Sequence, residues 1–344
     1  MSVTIKDVAK AAGVSPSTVS RVLAGNARIS LKTQEKVRQA LKELNYHPHA
    51  GARSLVTGSS RTIGLITSRP SAQTFATTFF PEVIQGISSV LEDKGYHLLL
   101  STVQDEAHQR DDCLAILRSR QADGVILTLS QLGDPLIDAL MHEHYPFVLI
   151  GRPAGPDGSL SYPEVPFVNN DNVSAAASVV EHLTGLGHRR IGFVTGPRAR
   201  VYCYDRLEGY RTGLAEAGIP FDEALVMEGN LTQQDANQAL RQLLALADPP
   251  TAVIAVDDTL ALGVLEAALH MGLRIPGDLA IAGFNDSPLW RWIQPPLTTV
   301  RIPDYDLGVM AARMLIGFLK GRPSRPHQVI LPSQLIVRTS TVGS

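Results

Sequence analysis

Residues 4–55, TIKDVAKAAGVSPSTVSRVLAGNARISLKTQEKVRQALKELNYHPHAGARSL, constrain the chain more than any other stretch. Three short helices announce themselves by their start signals. Thr4 can cap the first, with Asp7 three residues on; Ser15 can cap the second, with Pro16 at its first helical position; Ser30 can cap the third. Ala12-Gly13-Val14 between the first two is a tight turn with glycine where the chain must bend sharply. Apolar residues recur at helical spacing: Val8 and Ala12, Val19 and Leu23, then Val37, Leu41 and Leu44. Two short helices joined by a glycine turn and backed by a third form a helix-turn-helix head.

Charge points the same way. Residues 1–61 carry ten Lys/Arg against three Asp/Glu, while the remainder carries twenty-one against thirty. A basic head on an acidic body directs only the head toward a polyanion. A solvated surface with a chance excess of charge is the plain alternative, and the helix pattern at the same place favours DNA.

The VSPSTVSRVL and NYHPHAGARSL runs, in this order and spacing, resemble the DNA-binding head of the LacI/GalR family of bacterial transcription regulators. The second helix then enters the major groove, with Pro16, Ser17 and Arg21 on its reading face. Arg21 can donate two parallel hydrogen bonds to guanine, Ser17 one bond, and Pro16 only apolar contact. The resemblance implies base specificity at these three positions. Thr4, Thr18 and Ser30 suit phosphate contacts; Ser15 lies on the same surface, and its hydroxyl is read chiefly as a cap. From His47 the chain becomes linker-like, and a helical turn over 50–55 is marginal alone. The resemblance implies a hinge helix here that orders on DNA, with Ala52 and Leu55 as contacts and Leu55 wedging into a base step from the minor groove. Packing of Leu55 on the body is the alternative.

From Thr62 the period changes. Short apolar strands (62–67, 97–102, 124–129, 147–151) alternate with helices, and the pattern repeats over 173–284. Such alternation predicts parallel sheets covered on both faces. A helix over 306–320 and a closing segment over 328–337 can return to both sheets. The expected fold is α/β: a three-helix head (1–46), a hinge and linker (47–61), and two doubly wound subdomains (62–344), which the resemblance implies are of periplasmic-binding-protein type. Their division is placed at 62–162 plus 292–322 for the first lobe and 163–291 plus 323–344 for the second. GHRRIGFVTG, RIPGDLAIAGFND and QPPLTTV carry the resemblance through this region.

Ligands of such sheets sit beyond the carboxyl ends of the strands. The candidates are Phe79, Phe80, Arg152, Asp171, Arg206, Asp257, Asn285 and Trp290. Carboxylates, amides and guanidinium groups can fork onto vicinal hydroxyls, and an aromatic face can cover a sugar ring. Asp258 and Asp286 are read as helix caps, and Phe79 fits core or cleft equally well. The resembling family often has Asp where Gly151 and Asn285 stand, and some members have a stacking ring where Leu231 stands. FFPEVIQGI and VNNDN look more like the maltose-regulator branch, so maltose or another α-glucoside is the expected effector.

The expectation is a cytoplasmic homodimeric regulator, a repressor of carbohydrate-use genes, on a palindromic operator. No enzyme activity, cofactor, metal or membrane span is expected. His142-Glu143-His144 lacks the i, i+4 spacing of a helical zinc pair. No apolar run of ~18 residues is present, and the N-terminus shows no signal-peptide core. Cys113 and Cys203 fit no metal spacing and suit a reducing compartment. A transport-type sugar-binding protein without a DNA role is the alternative.

Overall fold

The structure is a computed structural model, and it describes residues 3–23, 28–46, 58–67, 77–102, 106–128, 130–322 and 326–343. The expected hinge helix, with Ala52 and Leu55, lies outside the described residues.

The head consists of α1 (Ile5–Ala12), α2 (Pro16–Leu23) and α3 (Leu31–Glu43). Val8, Val19 and Val37 are fully buried at its centre, one from each helix, with Ala12 and Ala40 beside them. Gly13 ends α1 in the left-handed conformation (φ 65°), and the Val14 N–H closes the turn on the Ala9 carbonyl at 3.0 Å. Ser30 caps α3, accepting from the Thr33 N–H at 3.3 Å.

The first lobe runs β1 (Thr62–Thr67), α4 (Phe79–Lys94), β2 (His97–Thr102), α5 (Glu106–Arg118), β3 (Gly124–Thr128), α6 (Pro135–His142), β4 (Phe147–Ile150) and β5 (Phe167–Asn170). The second runs α7 (Asn172–Gly185), β6 (Ile191–Thr195), α8 (Val201–Glu216), β7 (Val226–Glu228), α9 (Gln233–Leu244), β8 (Ala252–Ala255), α10 (Asp258–His270), β9 (Ala280–Phe284) and β10 (Thr298–Arg301). The chain then gives α11 (Asp304–Leu319) and β11 (Gln328–Leu331) to the first lobe, and β12 (Gln334–Ile336) and α12 (Thr339–Val342) to the second. The sheets read β11-β5-β4-β3-β1-β2 and β12-β10-β9-β8-β6-β7. Every pair is parallel except β10 with β12. The strands β3, β4, β6, β8 and β9 are buried at every residue, as strands covered by helices on both faces must be.

The lobe boundaries differ from those expected. β5 pairs with β4 and β11 in the first sheet, so the first crossing falls at 170–172 rather than near 162. β10 belongs to the second sheet, although 292–322 was assigned to the first lobe, and β11 belongs to the first, although 323–344 was assigned to the second. The reason is that strands at a crossing are short, and their partners are far away in sequence. Ile330 of β11, for example, sits opposite Asn169.

Two features fix the first lobe. Gly86 of α4 and Gly308 of α11 bring the two helices to backbone contact: a Cβ on Gly86 would lie 2.1 Å from the Tyr305 carbonyl oxygen, and one on Gly308 2.3 Å from that of Val83. Asp123 ties the linker to the sheet, accepting from Ser60 N–H (2.6 Å), Ser60 Oγ (2.8 Å), Arg61 N–H (3.0 Å) and Ser59 Oγ.

Candidate DNA-reading and ligand-binding sites

Only Val19 of α2 is buried, so the opposite face of this helix is open. Pro16, Ser17 and Arg21 lie exposed there, and among the described residues Arg21 forms no ion pair. Ser15 acts as the cap: the Thr18 N–H donates to its Oγ at 3.2 Å, and its hydroxyl also meets Ser17 Oγ (2.8 Å) and Thr18 Oγ1 (2.9 Å). Thr4 is bound to Asp7, its N–H at 2.9 Å and its hydroxyl at 2.7 Å from Oδ2. These bonds hold the Asp7 carboxyl below its usual range. A phosphate contact from the Thr4 hydroxyl would therefore compete with an existing acceptor.

Between the lobes is a cleft with about 710 Å³ of empty space, part of it open to solvent. The first lobe supplies Thr77, Phe79, Ser130, Ile150, Gly151, Arg152, Asn169 and Asn170; the second supplies Asn172, Val201, Tyr202, Asp205, Arg206, Asp257 and Asn285; the second crossing supplies Ile302 and Leu307. These residues follow the strand ends because the carboxyl edges of both sheets face each other. The lining alternates amides and hydroxyls with aliphatic and aromatic faces.

Arg206 is 4% exposed and forms the cleft's inner wall. Its Nε donates to Asn172 Oδ1 at 2.9 Å and its Nη1 to the Val256 carbonyl, while the guanidinium lies 4.2 Å from the Phe284 ring centroid. Asp257 lines the cleft and caps α10 through the Leu260 N–H at 3.0 Å. Arg152 and Asp205 join across the cleft, with Arg152 Nε at 3.0 Å and Nη2 at 2.5 Å from the carboxylate. The backbone also bridges the lobes nearby, Leu132 N–H donating to the Ala199 carbonyl (2.8 Å) and Val201 N–H to that of Ser130 (3.1 Å).

Of the eight residues expected here, Phe79, Arg152, Arg206, Asp257 and Asn285 line the cleft. Three do not. Phe80 is fully buried in the core, meeting Phe79 edge to face at 5.1 Å. Asp171 is exposed and caps α7, accepting from Ser174 N–H at 2.9 Å. Trp290 is 2% exposed, its Nε1 donating to Asp258 at 2.6 Å. Asp258 and Asp286 are not caps. Asp258 accepts from Trp290 and the Ser287 N–H, and burial raises its carboxyl to about 7. Asp286 pairs with Arg301 and Arg338. Leu231 is 7% exposed and packs over Gly196, away from the cleft. Asn169, Asn170, Asn172, Tyr202 and Asp205 went unrecognised as cleft residues; the VNNDN run was the available signal for the amides. Among the described residues no helix is long and apolar enough to cross a membrane.

A basic helix-turn-helix head carried on a two-lobed receptor with a solute-sized cleft defines the class: a ligand-responsive DNA-binding regulator. Comparison with known proteins makes the assignment definite. The family described as "Bacterial regulatory proteins, lacI family" matches residues 4–49, and "Periplasmic binding protein-like domain" matches residues 180–341. The HTH-type transcriptional regulator CelR of Thermobifida fusca is 35% identical over 339 residues, with 98% of each chain covered. A solved CelR–cellobiose complex superposes with a TM-score of 0.77 at 32% identity, covering 98% of this chain and 99% of that one. The lac repressor dimer bound to operator and the anti-inducer ONPF gives a TM-score of 0.82 at 27% identity, covering 99% of each. The chain belongs to the lacI family of bacterial regulatory proteins. It is a DNA-binding transcription regulator and not an enzyme, and the full-length match sets aside a transport protein without a DNA role.

Proposed function

We propose that the protein is a cytoplasmic homodimeric repressor of carbohydrate-use genes that binds a palindromic operator through its heads and a neutral sugar in its cleft. The observation carrying this reading is the cleft's lining: four asparagine amides, three hydroxyls, two guanidinium groups and two carboxylates set among aliphatic and aromatic faces. Balanced charge and many amides suit a polyhydroxyl solute, whose apolar ring faces can rest on Phe79 and Tyr202. The cleft's empty space of about 710 Å³, part of it open to solvent, falls in the range of small-molecule sites. Maltose or another α-glucoside is the effector first favoured by the sequence. The cellobiose bound by the CelR relative supports a β-linked disaccharide as the second reading. In the head, Pro16, Ser17 and Arg21 read bases, Thr18 and Ser30 hold phosphates, and Ala52 and Leu55 meet the minor groove. The sugar changes operator affinity by binding one lobe arrangement better than the other.

The test is a gel shift of the full chain on its own upstream DNA, with maltose and with cellobiose. Specific binding that either sugar changes supports the proposal; binding to no palindrome defeats it. Leu55→Ala weakens operator binding while leaving sugar affinity nearly unchanged, and equal operator affinity removes the wedge role.

A further inference from the structure

We infer that Asp205 is a specificity-determining residue that restricts the cleft to uncharged ligands by occupying the guanidinium of Arg152. This rests on the reading of the cleft as the effector site and concerns which solutes it refuses.

The geometry is specific. Arg152 follows β4 in the first lobe and Asp205 lies in the first turns of α8 in the second; both line the cleft. Asp205 receives Nε at 3.2 and 3.0 Å on its two oxygens and Nη2 at 2.5 Å, while Nη2 also donates to the Gly158 carbonyl at 2.9 Å. The side chains are 17% and 3% exposed, so the pair is shielded from water. Among the described residues Nη1 is the one Arg152 nitrogen without a hydrogen bond, which leaves its two N–H groups for hydroxyls. Arg206, the other guanidinium, has Nε and Nη1 engaged by Asn172 and Val256. Asp257 supplies the second carboxylate, so the lining is formally neutral.

A sugar phosphate or sugar acid entering this site would meet two carboxylates, and the Nε–Nη2 edge of Arg152, which suits an anion bidentately, is already taken by Asp205. To capture it, Arg152 would have to leave Asp205, stranding a buried carboxylate and breaking a contact that joins the lobes. A neutral sugar needs neither change. Removing the charge at position 205 leaves the cleft net positive and frees Arg152 for an anion.

The experiment is isothermal titration of the full chain, wild type and Asp205→Asn, with maltose, cellobiose, glucose 6-phosphate and inorganic phosphate. Wild type is expected to discriminate against both phosphates. Asp205→Asn is expected to bind them tighter by roughly tenfold or more, a gain that added salt erodes. The double variant Arg152→Gln/Asp205→Asn is expected to lose that gain. If Asp205→Asn does not fold, judged by its thermal transition, Asp205→Ser is read in its place. The inference is overturned if wild type binds glucose 6-phosphate as tightly as a neutral sugar, or if neither variant gains affinity for phosphate. A gain for phosphates with no neutral sugar bound by wild type upholds the role of Asp205 and defeats the sugar reading. Neutral-sugar binding with no gain does the reverse.

Discussion

Arg206 is the side chain on which cleft and core meet. Its stem and guanidinium are buried against Phe284, and it satisfies Asn172 and the Val256 carbonyl. Burial lowers its proton affinity, opposed by the neighbouring Tyr202, Cys203, Asp257 and Asp304. Arg206→Ala should weaken sugar binding about tenfold or more, since a hydrogen bond from a charged donor contributes roughly 1.5–3 kcal/mol. Calorimetry with the sugar found to act in the gel shift checks this, and unaltered affinity removes Arg206 from the site. Asp258 offers a prediction in pH. Burial raises its carboxyl from 3.8 to about 7, so the folded state holds a proton that the unfolded chain has released. Its stabilising contribution is complete below about pH 4 and disappears as pH rises through about 7. Relative to Asp258→Asn, wild type should lose ~1.4 kcal/mol of stability per pH unit between about pH 5 and 6.5. Urea denaturation of both at pH 5 and pH 8 reads this; a stability difference independent of pH shows that Asp258 is ionised throughout.

At the scale of elements, the decisive packing is that of α4 on α11. The helices touch through Gly86 and Gly308, so the helix–strand return that completes the first sheet is clamped to the lobe it re-enters. Gly308→Ala drives a Cβ into the Val83 carbonyl, and we expect about 1–3 kcal/mol of destabilisation, measured by urea denaturation. A loss below about 0.5 kcal/mol means that the helices slide apart freely. Much of this level was legible. The caps Thr4, Ser15 and Ser30 and the glycine turn at Gly13 set the head, because each acts within four residues. β5 and β10 were missed. Phe-Val-Asn-Asn and Thr-Thr-Val-Arg are too short and too polar for periodicity to register, and they are strands because buried sheets supply their partners.

For the whole molecule, a basic head on an acidic body predicts operator affinity that falls steeply with salt, as phosphate contacts release counterions. Arg21→Ala should relax discrimination at one base position by about 1–3 kcal/mol while leaving the salt slope largely intact. Anisotropy titrations at two salt concentrations on cognate and altered operators separate these effects. A lower slope with unchanged discrimination places Arg21 on phosphate. By itself the sequence determined the head, the alternation that makes two parallel sheets, and the strand ends where a ligand belongs. These follow from capping, period and charge, which are local. Only the tertiary structure decided which side chains reach the cleft. Trp290 and Phe80 turn into the core, Asp171 turns to solvent, and Asn172 and Asp205 turn inward, because the direction of each depends on how the two lobes meet across three crossings of the chain.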